Sequence, residues 1–282
     1  MKQSGAEKQG LSENGNSVRR YDRDRFVTAL FAPPAAREDL FTLYAFNIEI
    51  ARIRETVSEA MLGQIRLQWW RDALDCMCRG DPAHHPVADD LSALIRRQSL
   101  PRPLFDRLIE ARELDMQDQP PATMAQLKLY VEDSSAGLSA LAALVLGGED
   151  AATQEAARHV GQAWGLVGLL RAHAFAIKSR RLYLPVREKG LDVEDVLAGE
   201  APRGLIELTE QIAVSAAGHL VSARKLRREV SKTAIAALLP AKLADSYLAK
   251  LRKAGFNPTD RSWSEVNTKP LSLVMASSLD RF

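Results

Sequence analysis

The sequence predicts a single-domain, all-α bundle, and three observations carry that prediction. Apolar residues recur at three- and four-residue spacing between strong helix formers along nearly the whole chain. Alternating, strand-like segments are almost absent. Pro falls mostly between the periodic stretches rather than inside them. The chain has 282 residues, no composition break long enough to separate two units, and no repeat in the range of about 20 to 50 residues that marks a helical solenoid.

Taken in order, residues 1–20 are rich in Gly, Ser, Asn, Gln and Lys and read as a disordered tail ahead of a helical domain spanning 21–277. A short helix over 23–31 is stopped by Pro33 and Pro34, and a long one over 37–55 places Leu40, Leu43, Tyr44 and Asn47 on one face. A third, over 61–77, carries Ile65, Trp69 and Ala73 at helical spacing. Trp70, about 100° from Trp69, puts one indole in the core and the other at its boundary. Residues 80–86, with Gly80, Pro82 and Pro86, form a loop. Helices over 89–98 and 103–114 follow, the second opened by Pro101 and Pro103. Pro120, Pro121 and Thr123 then open a long helix ending near Gly147 and Gly148. Residues 151–178 are the most apolar stretch of any length. Two more helices, over 205–229 and 233–254, precede a segment that folds back as a short helix near 271–277, and 278–282 read as a tail.

Charge excludes several functions. Lys and Arg number 38 against 36 Asp and Glu, so there is no global field of the kind that holds nucleic acid. With only two cysteines, Cys76 and Cys78, a reducing compartment is expected. Together with His84 and His85 they match no common zinc spacing. The N-terminus lacks a secretory apolar core, and Glu7 and Glu13 argue against an amphipathic mitochondrial presequence. The longest apolar stretch, 136–148, is shorter than the roughly 20 residues that span a bilayer. A cytoplasmic location is expected, with contact at a membrane surface left open. No Ser/His/Asp order or Gly-rich phosphate loop points to hydrolase or nucleotide chemistry.

Two features carry a ligand reading beside a plainer one. The basic cluster Lys178, Arg180 and Arg181, with Arg171 further inside the same helix, suits a diphosphate, a phospholipid head group or an acidic partner, because guanidinium groups grip phosphate in pairs. It equally suits a solvated helix C-terminus, where cations complement the dipole. Gly161, Gly165 and Gly168 give one helix a stripe without side chains, which either lines a channel for an apolar tail or lets a neighbouring helix approach closely.

Several blocks carry a resemblance. They are Leu43-Tyr44-Ala45-Phe46-Asn47 continuing through Ala51-Arg52-Ile53-Arg54-Glu55; 108–115 with Leu127, Tyr130 and Ala136-Gly137; Leu169-Leu170-Arg171 up to Arg181-Leu182-Tyr183-Leu184-Pro185; and the long helices that follow. In this order and spacing, over about residues 21–277, the chain resembles the squalene/phytoene synthase family. The resemblance implies the isoprenoid synthase fold. It also implies a prenyl transferase activity that condenses two isoprenyl diphosphates head to head, using magnesium held between two aspartate-rich helices. Carboxylates four apart on a helix share a face, and magnesium takes such oxygens together with substrate phosphates. The family's cavity then falls to Tyr44, Asn47, Gly137, Gly161, Gly165, Gly168 and Tyr183.

The chain departs from the pattern at the decisive positions. Ala51, Arg52 and Glu55 stand where the first motif places its aspartates, and Ala172 and Ala176 where the second does. No Asp or Glu occurs anywhere from 156 to 187, and the shifted pair Glu55 and Glu59 has no acidic counterpart there. No catalytic residue and no metal are therefore expected. With Gln68-Trp69-Trp70-Arg71-Asp72-Ala73-Leu74, these losses resemble the branch of the family that assists assembly of respiratory complex I. That branch implies a non-catalytic role, a respiratory-complex subunit or assembly protein as partner, and a cavity open to an isoprenoid or lipid. The competing expectation is an active, magnesium-dependent prenyl transferase of isoprenoid biosynthesis.

Overall fold

The computed structural model describes residues 10–117, 119–265 and 270–282, with Pro270 by its backbone alone. All regular elements among them are helical. In chain order they are α1 (Glu13–Tyr21), α2 (Arg23–Ala29), α3 (Pro34–Ala51), α4 (Ile53–Thr56), α5 (Ala60–Arg79), α6 (Pro86–Gln98), α7 (Arg102–Leu114), α8 (Met124–Val131), α9 (Gly137–Val145), α10 (Ala151–Ala176), α11 (Val193–Leu197), α12 (Arg203–Lys225), α13 (Ile235–Leu238), α14 (Pro240–Lys253) and α15 (Pro270–Ser278).

Their ends follow from local chemistry. The side chains of Asp22, Thr123 and Asp150 accept from the first free backbone N–H groups of α2, α8 and α10. Proline opens α3, α6, α7 and α14, where its missing N–H costs nothing. Gly80 closes α5 at φ +87°, a left-handed turn that favours glycine. Helix α10 runs through the middle, packed against α9 and α12 and more lightly against α8, α13 and α14. Its buried face, Ala156, Val160, Ala163, Val167 and Leu170, forms the spine of the core.

Two assignments made from the sequence are corrected. Residues 13–20 are not a disordered tail. They form most of α1, which is capped by Ser12 and lies on α3. The helix buries Val18 completely and sends the Asn14 amide to Thr42 Oγ1 (3.2 Å) and Asp90 Oδ2 (2.8 Å). One apolar anchor and an asparagine leave no hydrophobic stripe for a pattern to reveal. Residues 1–9 lie outside the described residues. At the other end, 278–282 is not a free tail: Phe282 is buried and its carbonyl accepts from Arg224 Nε at 2.9 Å.

The long helix expected to start at Thr123 is present but broken. A π turn, Glu132–Ala136, joins α8 to α9, with the Gly137 N–H reaching back to the Glu132 carbonyl. This widened turn nests on α10. A Cβ on Gly161 would stand 2.5 Å from Ala136 Cα, and one on Gly165 would stand 2.6 Å from a Val131 methyl. The close-approach reading of the glycine stripe holds for these two, while Gly168 has open space beside it.

Candidate functional site: a cavity beside a buried arginine–aspartate–tyrosine network

The C-terminal end of α7, the residues after it and α8 enclose a cavity of about 380 Å³, closed on the far side by Leu169 and by 181–183. Its apolar walls are Leu114, Leu127, Leu129, Leu169 and Leu182, with Pro120 and Pro121 at one end. Its polar walls are Asp115, Tyr130, Arg181 and Tyr183, with Gln117, Gln119 and Gln126 beside them.

Behind that wall a network is built from three helices. Arg112 and Asp115 lie three apart on the last turn of α7, so their side chains meet at 3.4 Å. Tyr130 of α8 accepts from Arg112 Nη1 at 2.6 Å and donates to Asp115 Oδ1 at 2.9 Å. Asn47 of α3 accepts from Arg112 Nη2 at 3.4 Å. Burial pushes the Asp115 carboxyl above the usual carboxylate range, against the opposing pull of Arg112. Burial likewise raises the Tyr130 and Tyr183 phenols, so both remain neutral donors. The result is an apolar chamber with one neutralised ion pair in its wall and Arg181 as a further cation.

The residues singled out by sequence divide sharply. Arg181 and Tyr183 line the cavity, and Asn47 joins it through Arg112. Tyr44 does not: it is buried in the core under Arg25, its phenol pushed up to about 12 by desolvation. Gly137, Gly161, Gly165 and Gly168 are not among the wall residues either, because the π turn fills the groove that 161 and 165 leave. Arg171 points elsewhere. It pairs with buried Asp24 at 2.9 Å and stacks 3.8 Å from the Tyr247 ring centroid, so it is spent on holding α2, α10 and α14 together. Lys178 and Arg180 are exposed, and Arg180 pairs with Glu194 at 2.6 Å. Asp115 reads from the sequence either as the aspartate that follows the family's central helix or as a helix-end residue, and the structure puts it in the cavity wall, whereas Arg112 is a site residue that the sequence reading missed. The available signal was an arginine among Phe105, Leu108, Ile109 and Ala111 on an otherwise buried helix face.

The first motif region borders a separate hollow of about 310 Å³, lined by Glu49, Arg52, Arg66, Trp69, Trp70 and His85. One indole is buried and one stands at the rim, as expected, but the buried one is Trp70: Trp69 and Ile65, which the sequence set at helical spacing with buried Ala73, are both exposed. Arg52 stacks 3.8 Å from the Tyr21 ring centroid and lies 3.8 Å from Glu55, which is exposed.

Residues 18–270 match the profile of the squalene/phytoene synthase family. The chain belongs to the squalene/phytoene synthase family. It is 31% identical over 269 residues to NADH dehydrogenase (ubiquinone) complex I, assembly factor 6, of Bos taurus, covering 94% of this chain and 81% of that protein. It is 26% identical over 229 residues to presqualene diphosphate synthase of Rhodopseudomonas palustris, covering 79% and 81%. Among solved structures, squalene synthase HpnC from Alicyclobacillus acidocaldarius superposes with a TM-score of 0.77 at 21% identity, over 87% of this chain and 94% of that one. That likeness shows the all-α isoprenoid synthase fold.

Synthases of the squalene/phytoene family imply magnesium, and the residues present do not fit it. Ala51, Ala172 and Ala176 offer methyl groups, Arg52 is itself a cation, and Glu55 is shared with it. Among the described residues, no three His, Cys, Asp or Glu side chains are placed to hold a metal ion. No helix among the described residues is long and apolar enough to cross a membrane.

Proposed function

We propose that this protein serves the assembly of respiratory complex I, in the manner its Bos taurus relative is named for, and does not transfer prenyl groups. One observation carries the reading: alanine and arginine occupy the positions where a family synthase needs carboxylates to grip divalent ions. A Lewis-acid metal contributes several kcal/mol at the transition state, and each ~1.4 kcal/mol is about tenfold in rate. Losing both halves of the clamp therefore removes most of the drive for ionising a diphosphate. The cavity, about 380 Å³ and lined by five leucines together with Arg181 and Tyr183, suits the end of an isoprenoid or lipid held without chemistry. The partner is a respiratory-complex subunit or a second assembly protein.

Two measurements test this. Purified protein given farnesyl or geranylgeranyl diphosphate with magnesium, with and without reductant, releases no pyrophosphate above background. Deleting the gene lowers NADH:quinone oxidoreductase activity while isoprenoid products stay constant. Pyrophosphate release at turnover rates, or loss of isoprenoid products with the oxidoreductase intact, overturns the reading in favour of an active transferase. Mass spectrometry of the native protein tests the cavity, and an empty chamber after gentle purification removes the lipid part.

A further inference from the structure

Helix α15 is apolar on both sides. Its sequence, PLSLVMASS, contains no charged residue. Leu273 and Ala276 face inward and are buried, while Leu271 (79% exposed), Val274, Met275 (63%) and Leu279 just beyond the helix face outward. A helix apolar all round belongs where both sides are covered, and α14 covers one side only.

The surroundings say what covers the other. Residues 224–261 hold ten Lys and Arg against three Asp and Glu, an excess of seven in a chain whose net charge is +2. This basic stretch is tied to α15. Arg224 and Arg227 donate to the Phe282 and Asp280 carbonyls, Lys232 pairs with Asp280 at 3.1 Å, and α14, whose last turn carries Lys250, Arg252 and Lys253, packs on α15. Lys225, Arg228, Arg252, Lys253 and Arg281 are all exposed.

We infer that α15 and the basic end of α12 and α14 form a docking surface for a membrane bearing anionic lipids. Four apolar side chains entering the acyl boundary and exposed cations on the elements tied to α15 are the two signals that stable surface attachment takes. Nine residues of helix extend only about 14 Å, enough to lie in the interface and too short to cross it. A second copy of the chain is a poor occupant, because a two-fold contact would press two basic regions together. The inference stands on this surface alone, independently of the assembly reading, and the gene-deletion result leaves it untouched.

The test is flotation of the full-length chain with vesicles of phosphatidylcholine alone or mixed with phosphatidylglycerol. The wild type floats with the anionic vesicles at about 0.1 M salt, leaves them near 1 M salt, where the screening length falls to about 3 Å, and ignores the neutral ones. Val274→Asp/Met275→Asp weakens binding at least about tenfold, as does Lys225→Glu/Arg228→Glu. Both melt as the wild type does, and Val274→Ser/Met275→Ser serves if the aspartates impair folding. Equal binding to both vesicle types, or undiminished binding by the apolar-face variants, overturns the inference. A dimer that the apolar-face variants convert to monomer assigns the surface to a second copy and overturns it as well.

Discussion

Replacing Asp24 by alanine removes the carboxylate on which α2, α10 and α14 converge. The Asp24 side chain is 5% exposed and that of Arg171 19%, with Nη1 and Oδ2 2.9 Å apart. The Tyr247 hydroxyl donates to the same oxygen at 3.0 Å, and its ring lies 3.8 Å from the guanidinium. Without Asp24, the Arg171 charge remains in the interior with only aromatic faces around it. Breaking a buried pair from one side costs about 3–5 kcal/mol, and the residual exposure of Arg171 puts this case near 3. At about 2–4 °C per kcal/mol in a chain of this size, the melting temperature falls by about 6–12 °C. Circular dichroism melts, with urea titrations for the free energy, measure it. Arg171→Met costs a comparable amount, and the double variant costs clearly less than the two singles summed, because it leaves no orphaned charge. A fall of under about 2 °C for Asp24→Ala would refute the reasoning. So would an Arg171→Met protein of normal stability that has lost affinity for diphosphate, which would return Arg171 to the ligand site.

Other outcomes follow from the same structure. His173 is buried with neither ring nitrogen hydrogen-bonded, and burial holds its pKa down to about 4 against an ordinary 6.5. The unfolded chain therefore binds a proton that the folded one refuses. Stability falls as pH drops through 6.5 and levels out below about 4, by about 3 kcal/mol in all. His173→Leu flattens that slope without loss at neutral pH; urea midpoints for both proteins at two pH values check this, and a pH-independent gap between them contradicts it. Gly161→Ala drives a methyl into backbone 2.5 Å away and costs about 1–3 kcal/mol, whereas Gly168→Ala meets open space and stabilises by about 0.4–1 kcal/mol. Equal melting shifts for the two would dissolve that distinction. Tyr130→Phe strips Asp115 of its 2.9 Å hydrogen bond, with an expected loss of about 1–3 kcal/mol in a denaturant titration and a cavity otherwise unchanged.

The all-α class, the long helices and the split between Trp69 and Trp70 were legible because each rests on helical periodicity, which survives any tertiary arrangement. Helix α1 was not, since its ordering depends on Asn14 reaching Thr42 and Asp90, far along the chain. The site was legible only in part. Tyr183 and Arg181 sit in a motif whose spacing marks them, but the same spacing put Arg171 in the site, and only coordinates show Asp24, 147 positions away, holding it. Likewise the glycine stripe has one sequence signature for two opposite uses, and the π turn that decides between them leaves no mark in hydrophobic pattern.

That π turn ties what one part of the chain can carry to the shape of another. A π turn takes about one residue more per turn than the helix it interrupts, so Glu132–Ala136 carries a wider backbone than α8 and α9 on either side of it. The widened backbone was accommodated where Gly161 and Gly165 bear no side chain. Turn and glycines therefore form one structural unit: a variant that deletes one residue of the turn and narrows it relaxes the demand for bare positions at Gly161 and Gly165. Gly161→Ala is accordingly expected to cost less stability in that deletion variant than in the wild type, and an unchanged cost in a urea titration would break the link.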